Sequence, residues 1–361
     1  MPGPPTSSSS DGPAGPGRVV GRVDLITWDD DSPTGGNVYN AALAESLRAA
    51  GVDARLVRVG AGWPDGSPDD RARLRAALAD SPVVLVDGIV AGNAPDELGA
   101  AVASGRRVLV LVHLPLADEI GLAAARSRRY LERERTALAA AYAVLCPSRH
   151  TATALSRRYG RPDAIVVPPG VDPATVARGS RPPHLLCLGA ITPTKNQLGL
   201  LAALAQLRAL DWSASIVGST TASPDYAAAV MGQIAAGQGG LDTRIRLTGT
   251  LSGAALEDVW AATDLLVSTS RVETYGLVVA EALAHGVPAV VPAGTGAVEA
   301  LGQVDGLPPG QPVEPDRLPA TLRAWLTGPE LRADWRRRAL IRRTTLPRWS
   351  DAAEIVRAAI R

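Results

Sequence analysis

Residues 268–292 read STSRVETYGLVVAEALAHGVPAVVP. The apolar run that ends at Thr269 predicts a strand, residues 276–285 carry apolar side chains at helical spacing, and residues 289–291 are apolar throughout. Strand, helix and strand in so short a span make a βαβ crossover. Strands with no polar face belong to a parallel sheet covered by helices on both sides. In this reading Glu273 sits on the loop leaving the first strand, and Glu281 lies about one turn inside the helix that begins near Gly276 or Leu277. A helix start offers unpaired N–H groups to a phosphate. A carboxylate just before it and another one turn in bracket that phosphate and can accept hydrogen bonds from hydroxyls on either side. Two plainer readings carry comparable weight for the segment alone: Glu273 as a charge favoured by the helix dipole, and Glu281 as part of a solvated face.

The same alternation runs outward in both directions. Toward the C-terminal side, strands are predicted at 184–188, 213–217, 244–247, 265–269 and 289–291, with helices near 196–210, 224–237, 253–262, 276–285, 296–301 and 316–327. Toward the N-terminal side, strands are predicted at 18–28, 53–59, 83–86, 108–113, 143–147 and 164–167, with helices at 36–50, 71–79, 95–104, 123–142 and 149–159. Residues 168–183 are rich in proline and suit a linker. The pattern predicts two doubly wound parallel-sheet domains, 18–170 and 184–345, joined through 171–183, with a last helix from Ser350 docked elsewhere as part of 346–361. Residues 1–17, almost wholly Pro, Gly and Ser, are expected to be a disordered leader. Facing sheets of this kind present two half-sites at the carboxyl ends of their strands, which suits a two-part substrate.

Composition narrows the class. The chain has 361 residues, 46% apolar and 20% charged, with a net charge of +1. That length fits two domains, and near-neutrality argues against nucleic acid as a partner. No apolar run approaches the roughly 18 residues of a membrane span, and the start lacks the pattern of a secretion signal, so a cytoplasmic protein is expected. Two cysteines, Cys146 and Cys187, exclude a disulfide framework, and the four histidines show no ligand spacing. A dinucleotide site is excluded by position: Gly60-Ala61-Gly62 follows a strand but runs into Trp63-Pro64-Asp65, where no helix opens.

One residue stands out by scarcity. Of the 37 basic side chains, Lys195 is the only lysine. A compositional drift that replaced the others left this one, and a compact ammonium is not interchangeable with a guanidinium. It lies in Gly189-Ala-Ile-Thr-Pro-Thr-Lys195-Asn-Gln, directly after the first strand of the second domain, where a cation can neutralise charge developing on a leaving diphosphate. In the first domain, Thr34-Gly35-Gly36 opens a helix after the first strand, and His113 ends an apolar strand in His-Leu-Pro115. Each of these two segments, read alone, suits an ordinary turn and a structural histidine.

As a set, the segments resemble the retaining GT-B glycosyltransferases, in particular the large family four. The E-x7-E element is Glu273 and Glu281 within S-R-x-E-x-Y-G-x-V-V-x-E-A-L-A-x-G-x-P. The G-x-x-T-P-x-K-N-Q loop, the early T-G-G, the His-x-Pro strand end and V-P-P-G-V-D at 167–172 follow in the family's order. The resemblance spans roughly residues 20–360 and implies a GT-B fold: two Rossmann-like doubly wound domains facing a cleft, the first binding acceptor, the second the nucleotide sugar, with a tail that crosses back. It implies that Glu273 bonds the donor sugar's hydroxyls and Glu281 those of the ribose. Backbone N–H groups of Gly276, Leu277 and Val278 hold the diphosphate with Lys195 and the Gly189 loop. Gly35 and Gly36 close from the other domain, His113 approaches the transferred sugar, and Gly294-Thr-Gly296 with Glu299 shapes the loop beside the donor.

The implied activity is metal-independent transfer of a hexosyl group, with retention, from a nucleotide-diphosphate sugar to a small soluble acceptor such as a secondary metabolite, with no cofactor beyond that co-substrate. One departure matters: where the family usually has an arginine after the loop glycine, this chain has Ala190. A lost charge-assisted phosphate contact costs about 1.5–3 kcal/mol, and compensation by Arg271, a helix dipole or another arginine is expected, the alternative being weak or lost activity. The competing readings are a transferase acting on lipid through the Arg-rich 332–348 stretch, a silent nucleotide-sugar-binding protein, and a nucleotide-sugar epimerase of the same architecture.

Overall fold

The computed structural model describes residues 22–32, 34–118 and 120–361. The leader expected at 1–17 lies outside the described residues, as does the start of the first predicted strand. The first sheet holds β1 Val23–Thr27, β2 Ala54–Arg58, β3 Val83–Asp87, β4 Arg107–Leu111, β5 Ala143–Cys146 and β6 Ile165–Val166, in the order β2-β1-β3-β4-β5-β6. The second holds β7 His184–Leu188, β8 Ser213–Val217, β9 Ile245–Gly249, β10 Leu265–Val267, β11 Ala289–Pro292 and β12 Gly310–Val313, in the order β12-β11-β10-β7-β8-β9. Among the described residues every strand pairing within these two sheets is parallel. The central strands β1 and β3 are buried along their whole length, β3 with the apolar run 83–86 and β1 with Asp24 buried and paired to Arg55.

The strand order fixes where a ligand can enter. In the first sheet the chain winds outward from β1 to β2 and then crosses to β3 on β1's other side. In the second it runs β7, β8, β9 and then crosses to β10 beside β7. A crevice opens at such reversals, beyond the carboxyl ends of the two diverging strands. In the second sheet the loops there are residues 189–196 and 268–276; in the first they follow β1 and β3.

Helix starts are set locally. Thr34 caps the helix Gly35–Ala49 by accepting from Asn37 N at 3.2 Å, and Ser148 caps Arg149–Tyr159 by accepting from Thr151 N at 3.0 Å. The helix Leu277–Ala284 follows Gly276 at φ 92°, a conformation in which a side chain would be strained. Some elements escape the sequence pattern. Gly88–Ala91 and Leu241–Arg244 are single turns, β12 is formed by Gly310-Gln-Pro-Val with no apolar run, and Pro329–Arg342 is too arginine-rich to show a stripe.

In that last helix Arg337 is exposed and pairs with Asp334 at 2.8 Å, while other arginines of the segment turn to backbone carbonyls. Arg332 donates to the carbonyls of Trp325 and Leu326, Arg336 to Ala177, Arg338 to Pro308, and Arg343 to Ala284 and Ala174. They tie the linker and the second domain together. No helix among the described residues is long and apolar enough to cross a membrane.

The final helix, Trp349–Ala359, lies on the first half of the chain. Ala352, Ala353, Val356 and Ile360 are buried with Tyr39, Leu43 and Leu47, and the Trp349 ring meets Tyr39 edge-on at 5.3 Å. The crossing is tight: a Cβ on Gly170 would fall 2.0 Å from Trp349 N, and Val171 N donates to Pro347 O at 3.0 Å.

Candidate active site

The two loops at the reversal of the second sheet meet through the residues singled out in the sequence. Lys195 Nζ lies 2.7 Å from Glu273 Oε2, with both side chains mostly buried (32% and 16% exposed). Thr269 Oγ1 donates to the carbonyls of Lys195 and Asn196 at 3.0 and 3.1 Å, and Arg271 N donates to Thr194 O at 2.8 Å, so the two loops are tied together. Arg271 is exposed beside them, its guanidinium 3.5 Å from Asn196 Oδ1. Gly189 packs against the aliphatic part of Lys195. The Ala190 carbonyl accepts from Gln197 Nε2 at 2.9 Å, which accounts for the glutamine that ends the loop.

Below this pair the helix Leu277–Ala284 begins. The N–H groups of Gly276, Leu277 and Val278 have no acceptor among the described residues and carry the positive end of the helix dipole. The side-chain carboxylate of Glu281, one turn in, has no hydrogen-bond partner among the described residues. Burial, with a smaller push from Glu257, raises its carboxyl to about 6.

The first half of the chain contributes the facing wall. A Cβ on Gly35 would come within 3.5 Å of Leu277 Cδ1, so the Thr34-Gly35-Gly36 turn touches the helix start across the cleft. Gly36 lies against the ring of His113: a Cβ there would be 3.2 Å from Cδ2. His113 Nε2 is 2.8 Å from Asn40 Oδ1 and 3.6 Å from Asp87 Oδ2, and Asn40 Nδ2 donates to Asp87 Oδ2 at 2.6 Å. Burial holds the His113 imidazole below its usual range, opposed by the Asp87 charge.

The Glu273 loop is gripped from both halves. Gly296 N donates to Glu273 O at 2.7 Å. The hydroxyls of Ser148 and Thr151 both donate to Thr274 O. Glu299 reaches across to accept from the N–H groups of Arg149 and His150 at 2.9 and 3.3 Å, capping a helix of the opposite domain. The sequence placed Glu299 beside the donor but gave no hint of that reach. Ser148-x-x-Thr151 carries a capping signal, and Asp87 marks the carboxyl end of β3. Asn40, inside a helix, carries no signal at all. Among the described residues no three His, Cys, Asp or Glu gather into a metal site.

Two family models match the chain: glycosyl transferases group 1 over residues 182–325 and glycosyltransferase family 4 over residues 67–175. No curated protein matches it. Among solved structures, sucrose-phosphate synthase from Thermosynechococcus elongatus aligns with a TM-score of 0.76 at 18% identity, covering 94% of this chain and 98% of that one. Anabaena HepE, in complex with UDP and glucose, aligns at 0.71 and 18%, covering 93% and 98%. A glycosyltransferase from Rickettsia africae aligns at 0.71 and 16%, covering 94% and 97%.

Proposed function

Since the chain is a glycosyltransferase of GT-B fold, with a glycosyltransferase match in each half, we propose that it transfers a hexosyl group from a nucleotide-diphosphate sugar to a small soluble acceptor, with retention and without a metal. Residues 18–170 form the acceptor side and 184–345 the donor side. The observation that carries this reading is the Lys195–Glu273 pair at 2.7 Å beside the unpaired N–H groups of Gly276, Leu277 and Val278. A cation and a helix start meet there with a carboxylate, and a glycosyl diphosphate needs that combination. When the donor binds, Lys195 turns to the diphosphate and Glu273 accepts hydrogen bonds from sugar hydroxyls.

The acceptor hydroxyl attacks the anomeric carbon on the face from which the diphosphate leaves. The bond from that carbon to the diphosphate oxygen breaks, and the freed oxygen takes the acceptor's proton. Lys195 and the helix start stabilise the charge that develops on it. Arg271, tied through backbone and side chain to the Lys195 loop, supplies the second cation that Ala190 does not. Glu281 accepts from the ribose hydroxyls. Five of the six arginines of 332–343 donate to backbone carbonyls, which weighs for the soluble acceptor over the lipid one.

Anabaena HepE was solved with UDP and glucose, which makes UDP-glucose the first donor to try, ahead of GDP-, ADP- and TDP-sugars. The test is calorimetric titration, followed by product analysis by NMR with an acceptor panel. Binding and turnover are expected to survive EDTA unchanged; loss of turnover restored by a divalent cation overturns the metal-free mechanism. An inverted anomer in the product overturns retention. Binding of no donor by the folded protein overturns the transferase reading in favour of a silent scaffold.

Glu281 gives donor binding a pH dependence. The ionised carboxylate is the form that accepts from hydroxyls, and its pKa in the free protein is about 6. Affinity is therefore expected to be full near pH 7.5 and to fall as pH drops through 6, with Glu281→Gln weaker throughout and flat over that interval. A wild-type affinity equally flat from 7.5 to 5 removes Glu281 from the donor site.

A further inference from the structure

With Asp87 as the carboxylate, the polar residues behind His113 form a chain with only one consistent assignment of hydrogens. Asp87 is almost wholly buried, as is Asn40. Asp87 Oδ1 accepts from Ile89 N at 2.8 Å, capping the turn Gly88–Ala91. Its other oxygen, Oδ2, lies 2.6 Å from Asn40 Nδ2. An ionised carboxylate only accepts, so the amide nitrogen of Asn40 must face it, and the amide oxygen must face His113. That oxygen only accepts in turn, so Nε2 of His113, 2.8 Å away, must carry a hydrogen. In the neutral ring the second nitrogen, Nδ1, then has a free lone pair. Nδ1 has no partner among the described residues, and it is not one of the buried unpartnered atoms, so it opens to solvent. Gly36 lies against the Cδ2–Cγ edge of the ring and holds its plane.

We propose that Asp87 and Asn40 are positioning residues that lock His113 in the Nε2–H tautomer, so that Nδ1 accepts a hydrogen bond from a hydroxyl of the bound sugar or of the attacking acceptor. The use made of Nδ1 rests on the glycosyl-transfer reading; the lock itself does not. Among the described residues two titratable groups face the ring, Asp87 at 3.6 Å and the edge-on Tyr39 at 4.9 Å between centroids, whose hydroxyl donates to Val167 O. Burial keeps the imidazole neutral near pH 7, so the tautomer and not the charge is what the lock sets.

The chain of donors and acceptors can be reversed by one isosteric change. In Asp87→Asn the side-chain oxygen still caps Ile89 N, but the second position becomes an N–H donor. Asn40 must then turn its oxygen toward residue 87 and its nitrogen toward His113. Nε2 becomes an acceptor, and the hydrogen moves to Nδ1.

The test is 15N NMR of the imidazole rings at pH 7.5, with the His113 signals identified by their loss in His113→Gln. Wild type is expected to show the Nε2–H pattern, Asp87→Asn the Nδ1–H pattern, and Asn40→Ala a mixture of the two. Circular dichroism and a melting curve check that each variant is folded. An Nδ1–H or protonated wild-type ring, or a tautomer unmoved in both folded variants, overturns the lock.

UDP-glucose then locates the hydroxyl. If it belongs to the donor, Asp87→Asn weakens UDP-glucose binding about ten- to a hundredfold and leaves UDP binding alone. If it belongs to the acceptor, both affinities hold and transfer slows by a similar factor. Unchanged binding and unchanged transfer with an inverted tautomer overturn the role of Nδ1. A correct tautomer series in a protein that binds no nucleotide sugar overturns the transfer reading and leaves the lock standing.

Discussion

Lys195→Ala is expected to slow sugar transfer, or donor hydrolysis where no acceptor is supplied, by on the order of 10²–10³-fold. The loss has two parts. The ammonium is the preorganised cation at the mouth of the second sheet, and what it stabilises is the charge appearing as the bond to diphosphate breaks. Its removal also strands the Glu273 carboxylate, which loses a partner 2.7 Å away while only 16% exposed. Arginine is not a substitute. The Lys195 stem packs along Gly189 and delivers a point charge, whereas a planar fork at the same position must turn away from Glu273 or displace it. Lys195→Arg is expected to recover a small part of the loss. The check is kcat and donor Kd measured side by side. A fall in affinity with kcat intact would make Lys195 a ground-state contact and remove it from the bond-breaking step.

Gly296→Ala is expected to cost about a hundredfold in kcat while leaving most of the fold intact. The added methyl would sit 2.0 Å from Thr274 O and 2.8 Å from Tyr275 N, so the loop carrying Glu273 has to move away from Gly296. The bond from Gly296 N to Glu273 O, 2.7 Å long, goes with it. A misplacement of about 1 Å is enough for a hundredfold loss where geometry sets the rate. The backbone at Gly296 lies in the ordinary helical region, φ −61°, so the penalty is steric and local. The measurement is kcat together with the melting temperature. A rate near wild type would show that the Glu273 loop tolerates displacement and that its position is not set by Gly296.

The sequence exposes the second-domain lip because its chemistry is local there. Glu273, Gly276, Leu277, Val278 and Glu281 fall within one strand–loop–helix unit, and Lys195 announces itself by being the only lysine in 361 residues. The alternation of wholly apolar strands with helices is likewise a short-range signal, and it yields both sheets. Edges and assembly are harder. β12 pairs with β11 through a segment of Gly, Gln, Pro and Val, whose strand character comes from its neighbour and not from its own side chains. The wall around His113 is built from three elements, with Asn40 73 residues from His113 and 47 from Asp87, and no spacing rule connects them. Most arginines of 332–343 look like surface charge in a sequence and prove to be anchors for carbonyls, since nothing in composition says which acceptor a guanidinium will find.

The last helix has a bearing on how the protein is made. Trp349–Ala359 and the residue after it supply Ala352, Ala353, Val356 and Ile360 to an apolar cluster whose other members, Tyr39, Leu43 and Leu47 among them, belong to the first half of the chain. On the ribosome that helix emerges only after every strand of the second sheet. Domains fold as they are synthesised, N-terminal first, but here the half made first waits, with one apolar face uncovered, until the half made second is complete. The second sheet can therefore close its core before the first does, and the nascent chain carries an open hydrophobic seam for most of its synthesis.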